Sequence, residues 1–359
     1  MQHRLTEKKI TLTNAEFTNS INISLGLYRP LDGFCKFEEY KNIILNKKVN
    51  EKNEWTIPIL LNLKDKKKYY VGKKYYLIYK KKKVGFIIAE SLFKIDKKKY
   101  CKAVFNTNSQ NHPAVKKIYE HSNSFVGGKV TIYKDFLFKD KDFAFNYFKK
   151  NKFIFSKSTV FSTRNICHLG HQLIHEKLLK TKKKLCICII QSEQNKFDPK
   201  LIINSYKKLK AEKIMYKNIK IIKIYLPSLM AGPNEAYLQA VCFNNLNFNS
   251  FFVGRDHAGY KKNFKRYESQ KIFEKLRQLK IKIIKTTEPL ICKKCELVFF
   301  EGAKRYGCGH NKSFLSTIDG KKIKKYLLKN KIKFVKKFLD PVIFKFCLNN
   351  ISFIKKFKG

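Results

Sequence analysis

Short apolar runs separated by turn signals mark the first part of the chain. Trp55–Leu63 (WTIPILLNL), Tyr75–Tyr79 (YYLIY), Val84–Ile88 (VGFII) and Lys129–Tyr133 (KVTIY) have strand length and strand composition. Pro30-Leu31-Asp32-Gly33 and Gly127-Gly128 read as turns between such runs. A mostly β domain over residues 1–150 is predicted, with Lys139–Lys152 as a connector. The rhythm then changes. Thr159–Phe161, Leu185–Ile190, Ile219–Leu226 and Ser250–Val253 read as strands, and Gly170–Lys180, Asn234–Asn244 and Lys262–Gln278 as helices. Strands alternating with helices imply a parallel α/β sheet. Ligands bind such sheets at the carboxyl ends of their strands.

The 359 residues suit two or three domains, and 44% of them are apolar, enough for sizeable cores. The longest apolar run, Leu185–Ile190 (LCICII), is far short of the roughly 18 residues that span a bilayer. The opening MQHRLTEKKITLTN has no apolar stretch of the secretory kind, so a cytoplasmic protein is expected.

Charge is extreme, at +51 from 78 basic and 27 acidic residues. A nucleic-acid or membrane binder is one explanation. However, the lysines are spread along the chain, as in Lys66–Lys68, Lys80–Lys83 and Lys182–Lys184. The chain is also rich in Asn, Ile, Phe and Tyr, which share AT-rich codons with Lys. Codon bias accounts for this pattern better, and non-specific nucleic-acid affinity would accompany it. Only seven arginines stand against 71 lysines. A guanidinium clamps an oxyanion with two parallel hydrogen bonds, which an ammonium cannot copy. Arg164 and Arg255 are therefore of interest, because each lies in a motif.

The first motif is Phe161–His171 (FSTRNICHLGH), which ends in H-x-G-H between a strand and a helix. A helix start offers free N–H groups and a positive dipole end to phosphate. His168 and His171, three apart, face one side of a first helical turn. There they can donate to phosphate oxygens as charge builds. Gly170 is expected to leave room for a nucleotide against the backbone. The second motif, Gly254-Arg255-Asp256-His257-Ala258-Gly259, directly follows the strand-like FFV. The third, Ala231-Gly232-Pro233-Asn234-Glu235-Ala236, opens a helix and alone says nothing about function.

In this order and spacing the three segments resemble the ATP sulfurylase (sulfate adenylyltransferase) family of the H-x-G-H nucleotidyltransferase superfamily. The family pattern runs Q-T-R-N-P-x-H-x-x-H, A-G-P-R-E-A, G-R-D-H-A-G. Pro30–Phe34, Trp55–Ile59, Asn111-His112-Pro113 and Val126-Gly127-Gly128 look like its N-terminal landmarks. The resemblance implies a PUA-like β domain at 1–150 and a parallel, Rossmann-like α/β catalytic domain at 151–290. A small C-terminal region with a zinc site and helices would fill 291–359. It implies that Thr163, Arg164, Asn165, His168 and His171 are catalytic. Those five would bind ATP together with Ser162, Gly254, Arg255, Asp256 and His257, and Ser162, Arg164 and Ala258 would lie at sulfate. It further implies Mg²⁺ with ATP, and the partners ATP, sulfate, pyrophosphate and adenylyl sulfate. A homo-oligomer is expected. Three positions and two segments depart from the family: Ser162 for Gln, Ile166 for Pro, Asn234 for Arg, a shortened stretch near Leu226–Met230, and Asp319–Lys324 (DGKKIK) for S-G-T-K-x-R.

Ten cysteines in a chain read as intracellular argue against disulfides. Cys292-x2-Cys295 and Cys308-Gly-His310 fit a tetrahedral, structural Zn²⁺ site. The other seven read as core or incidental residues. Three readings stay open beside the resemblance: an H-x-G-H adenylyltransferase with another acceptor, a basic RNA-binding protein, and a decayed non-catalytic homologue.

Overall fold

The computed structural model describes residues 8–64, 68–150, 152–180, 184–192, 195, 197–303 and 308–357. Lys66, Lys67, Lys182 and Lys183 of the lysine runs, Asn151 of the connector and the first seven residues lie outside them. The chain forms two compact units. One comprises Met1–Asp140, Leu226–Asn247 and Asp256–Ile281; the other comprises Lys141–Tyr225, Phe248–Arg255 and Lys282–Gly359.

The second unit is built on five parallel strands: β1 (Ser158–Thr163), β2 (Lys184–Gln191), β3 (Lys220–Tyr225), β4 (Ser250–Val253) and β5 (Lys282–Lys285). Their order is β3-β2-β1-β4-β5. The chain runs outward from β1 to β3, then returns to the far side of β1. The order therefore reverses between β1 and β4, the switch point at which an open α/β sheet binds its ligand. Leu185–Ile190 of β2 are all buried, because a parallel strand covered on both faces must be apolar throughout. Helix α1 (Leu169–Lys180) turns Ile174, His175 and Leu178 inward. Helix α2 (Pro199–Glu212) starts on Asp198, whose carboxylate accepts the Lys200 N–H, with Pro199 in its first turn.

One apolar core joins Phe161, Ile174, Ile187 and Ile189 to Ile323, Leu327, Leu339 and Ile343. Helix α3 (Gly320–Leu328) and the helix Pro341–Asn349 thus share the core of the sheet. Three short antiparallel strands precede them: β6 (Pro289–Cys292), β7 (Val298–Phe300) and β8 (Leu315–Thr317), in the order β7-β6-β8.

In the first unit the strand Ser124–Ile132 is the hub. It pairs antiparallel with Gly33–Phe34, Leu61–Leu63, Lys82–Ile88 and Ser91–Lys94. The strand readings near 75–79, 84–88 and 129–133 agree with this sheet, but WTIPILLNL is strand only at Leu61–Leu63. The mostly β expectation also missed the helices Asn14–Ser24, Phe37–Asn46, Lys97–Phe105 and Pro113–Glu120. Their start signals are local. Thr13 and Glu16 form a capping box, Asp96 accepts the Lys99 N–H, and His112 caps a helix with Pro113 in its first turn. The helix expected over 262–278 spans only Glu268–Lys275. Tyr267 before it is left-handed at φ 67°, and the Lys265 N–H donates to Glu268 Oε2.

Candidate active site

β1 delivers the first motif at the switch point. Thr163 is its last residue, and Thr163 Oγ1 accepts the Asn165 N–H at 3.1 Å, closing the turn. Ile166 and Cys167 are wholly buried and pin the middle of the loop into the core. His168 then caps α1: its Nδ1 accepts the His171 backbone N–H at 3.2 Å. A nitrogen that accepts carries no proton, so the His168 proton sits on Nε2, which is a donor. The His168 and His171 rings stack with centroids 3.7 Å apart. Burial, together with the neighbouring His168 and His175, holds the His171 imidazole well below the usual histidine range. It is neutral at physiological pH.

Five polar atoms of this loop and helix are buried without a hydrogen-bond partner among the described residues: Gln172 Nε2 and His175 Nε2 on the helix, and Arg164 Nη1, Asn165 Oδ1 and His171 Nδ1 over residues 164–171. An orphaned buried polar group costs about 1–3 kcal/mol, and native proteins carry few. Here three fall within eight residues, at the end of a central strand. Arg164 Nη1 is the clear donor among these three atoms and offers an N–H for binding an anion, whereas at the start of α1 the Leu169 and His171 N–H groups already donate to the Phe338 carbonyl and His168 Nδ1.

β4 lies beside β1, with Val160 opposite Phe251, and it delivers Gly254 and Arg255 at the same end of the sheet. Arg255 Nη1 is 2.9 Å from Glu288 Oε2, and Glu288 is 8% exposed. Sequence reasoning missed Glu288; its partner is 33 residues away and no spacing rule links them.

The chain passes between units after Arg255, so Asp256, His257 and Ala258 belong to the first unit. There His257 Nε2 donates to Gln239 Oε1 at 2.8 Å, and Gln239 Nε2 donates to Glu235 Oε1 at 3.3 Å. Glu235 Oε2 accepts the N–H groups of Leu229 and Ala231. The A-G-P-N-E-A segment is therefore more than a helix start, because its carboxylate begins a chain of hydrogen bonds that orients His257. Asp256 is exposed, and Ala258 is left-handed at φ 55°, with its carbonyl accepting the Gly232 N–H.

Four departures from the family pattern have a local setting. Ile166 fills the core, a burial contributing about 2 kcal/mol. Asn234 donates to the carbonyls of Ala103 and Val104, the last turn of the helix Lys97–Phe105. Lys324 Nζ donates to the Phe357 carbonyl, and burial lowers its pKa. Ser162 is half-buried, one residue before the end of β1. Gly170 does not leave nucleotide space. A Cβ there would lie 3.3 Å from Pro289 Cβ and 3.3 Å from His168 Nδ1, so protein fills the gap and Gly170 lets α1 approach β6.

Cys292, Cys295, Cys308 and His310 come together, their ligand atoms all within 4.8 Å of one another. Backbone N–H groups, Cys295 first, lower the Cys292 thiol to about 6, favouring the thiolate that binds metal. Three sulfurs and one imidazole at this spacing fit tetrahedral zinc. The seven other cysteines are buried, and none is in a disulfide.

A doubly wound sheet with an H-x-G-H turn at its switch point defines a nucleotidyltransferase. A PUA-like domain model matches residues 1–135, and an ATP-sulfurylase model matches residues 148–349. The chain belongs to the ATP-sulfurylase family, whose members are nucleotidyltransferases. The sulfate adenylyltransferase of Ignicoccus hospitalis is 26% identical over 344 residues, covering 92% of this chain and 89% of that one. That of Carboxydothermus hydrogenoformans is 28% identical over 340 residues, covering 90% and 87%. Among solved structures, the hexameric APS kinase from Thiobacillus denitrificans superposes with a TM-score of 0.69 at 11% identity. The match covers 97% of this chain and 64% of that one, and is a likeness of fold. Among the described residues, no helix is long and apolar enough to cross a membrane.

Proposed function

We propose that the chain is a sulfate adenylyltransferase, which joins sulfate to the α-phosphate of ATP and releases pyrophosphate, reversibly. The observation that carries this reading is the group of orphaned atoms on Arg164, Asn165 and His171 at the switch point of a family nucleotidyltransferase sheet.

In the proposed step a sulfate oxygen attacks the α-phosphorus in line. The new P–O bond forms as the bond to the β-phosphate oxygen breaks, with no net proton or electron transfer. Positioning and charge stabilisation suffice. Arg164 holds sulfate, and the family resemblance assigns Ser162 and Ala258 to the same ligand. Thr163 and Asn165 shape the loop. His168 Nε2–H and His171, both neutral donors, meet the phosphates as charge builds. Gly254, Arg255, Asp256 and His257 bind the nucleotide. Mg²⁺ accompanies ATP and neutralises its phosphates when bound. Among the described residues the one His/Cys/Asp/Glu group suited to a metal is the Cys292–His310 cluster, which is proposed to hold structural Zn²⁺.

The division of labour is proposed to follow residues 1–150, 151–290 and 291–359: a PUA-like part, the transfer site, and the zinc region with terminal helices. A cytoplasmic homo-oligomer is proposed; the structural neighbour from Thiobacillus denitrificans is hexameric. The test is pyrophosphate release from ATP on adding sulfate, or its analogue molybdate. Release with neither anion would sink the assignment.

Gly320 offers a second check. A Cβ there would lie 2.5 Å from Asn165 Oδ1, so alanine must displace the active-site amide or the start of α3. Gly320→Ala is expected to lower turnover by about tenfold or more, since an error near 1 Å in a site can cost a hundredfold. Steady-state kinetics on a folded variant with unchanged turnover would remove Asn165 from the machinery.

A further inference from the structure

We propose that His175 is a positioning residue of the transfer site, holding His171 through a shared wall of rings; this rests on the function proposed above. His175 lies one turn beyond His171 on α1 and is wholly buried. Its Nδ1 is 2.9 Å from the Tyr216 hydroxyl, and the Tyr216 ring meets it edge-on, centroids 5.7 Å apart. That hydrogen bond fixes the rotation of the imidazole. The His175 and His171 centroids are 6.1 Å apart. Phe161 stands edge-on to both, at 4.4 Å from His175 and 5.0 Å from His171. Ring pairs at about 4.5–7 Å are in contact and favour particular orientations. His171 is therefore walled by His168 on one face, Phe161 at an edge and His175 behind.

Fold stability alone does not account for an imidazole at position 175. Its Nε2 is buried without a hydrogen-bond partner among the described residues, a cost that leucine or phenylalanine would not carry. What an imidazole adds is the directed bond to Tyr216, which sets where the ring edge stands against Phe161 and His171. His171 must present its ring to phosphate within a fraction of an ångström, and catalysis depends steeply on that placement.

The test compares three variants by steady-state kinetics of sulfate-dependent pyrophosphate release, with melting temperature measured alongside. His175→Leu is expected to lower kcat by about tenfold or more while the ATP KM stays within about threefold, because ground-state binding survives and alignment does not. His175→Asn places an amide nitrogen near the position of Nδ1 and is expected to recover most of that loss. Tyr216→Phe removes one oxygen and should slow turnover in the same direction, by about three- to tenfold. Should His175→Leu fail to fold, Tyr216→Phe decides. Leucine or phenylalanine variants with kcat within twofold of the unaltered chain would overturn the proposal. So would an asparagine variant as slow as the leucine one. An unaltered chain showing no sulfate-dependent release would overturn the functional reading itself, a distinct result.

Discussion

Arg164→Ala is expected to lower kcat/KM for sulfate-dependent turnover by about 10²–10³, the loss typical of removing one preorganised donor from a charge-stabilising site. The expectation rests on where Arg164 sits and on what it lacks. It follows directly after β1, at the switch point, and its Nη1 is buried with no protein partner among the described residues. A guanidinium serving only the fold would be satisfied by the fold. Arg164→Lys is expected to recover little, because an ammonium keeps the charge and loses the bidentate geometry. Kinetics at varied sulfate and varied ATP separate the roles: the sulfate KM should move more than the ATP KM. Alanine turnover within threefold of the unaltered chain would remove Arg164 from the anion site.

Loss of the metal site is expected to have the next largest effect, on stability. Cys295 is exposed, and an exposed Cys→Ser change ordinarily shifts stability by no more than about 0.5 kcal/mol. As a ligand within 4.8 Å of Cys292, Cys308 and His310, Cys295 should behave otherwise. Structural zinc contributes folding free energy directly. Cys295→Ser is expected to reduce bound zinc from about one equivalent to less than half, and to lower the melting temperature by about 5–10 °C, as a loss of roughly 2–3 kcal/mol would. The cluster begins at Cys292, the last residue of β6, and Pro289 of the same strand packs on Gly170. Some loss of activity should therefore accompany the loss of metal. Zinc analysis and a thermal scan check both parts. A metal-free purified chain, or a variant melting within about 1 °C of the original, would contradict the site.

Much of the second unit is legible in the sequence. Unbroken apolar runs such as LCICII have few alternatives to a buried parallel strand, and their spacing leaves room for crossover helices. Phe161–His171 is legible because its chemistry is contiguous. Features that depend on a distant partner are not legible. Glu288 meets Arg255, Asn165 meets Gly320 and His175 meets Tyr216 only after folding. An i, i+4 rule applied to His171 could have found His175, since both lie on one face of α1. The helices of the first unit are legible only through their caps: Thr13-x-x-Glu16 is a complete capping box, while the apolar periodicity of a ten-residue helix is weak. Gly170 shows the opposite error, with a correct motif but a wrong physical reason, because the space it leaves is taken by Pro289.

The proposed reaction transfers the adenylyl group of ATP to sulfate. The most direct measurement uses ATP labelled at the α-phosphate, with and without sulfate, in parallel with γ-labelled ATP. The predicted result is that α-label moves into an adenylyl–sulfate product only when sulfate is present, while γ-label leaves as pyrophosphate. Failure of sulfate to move the α-label, with folded purified chain and Mg²⁺ supplied, would contradict the assignment.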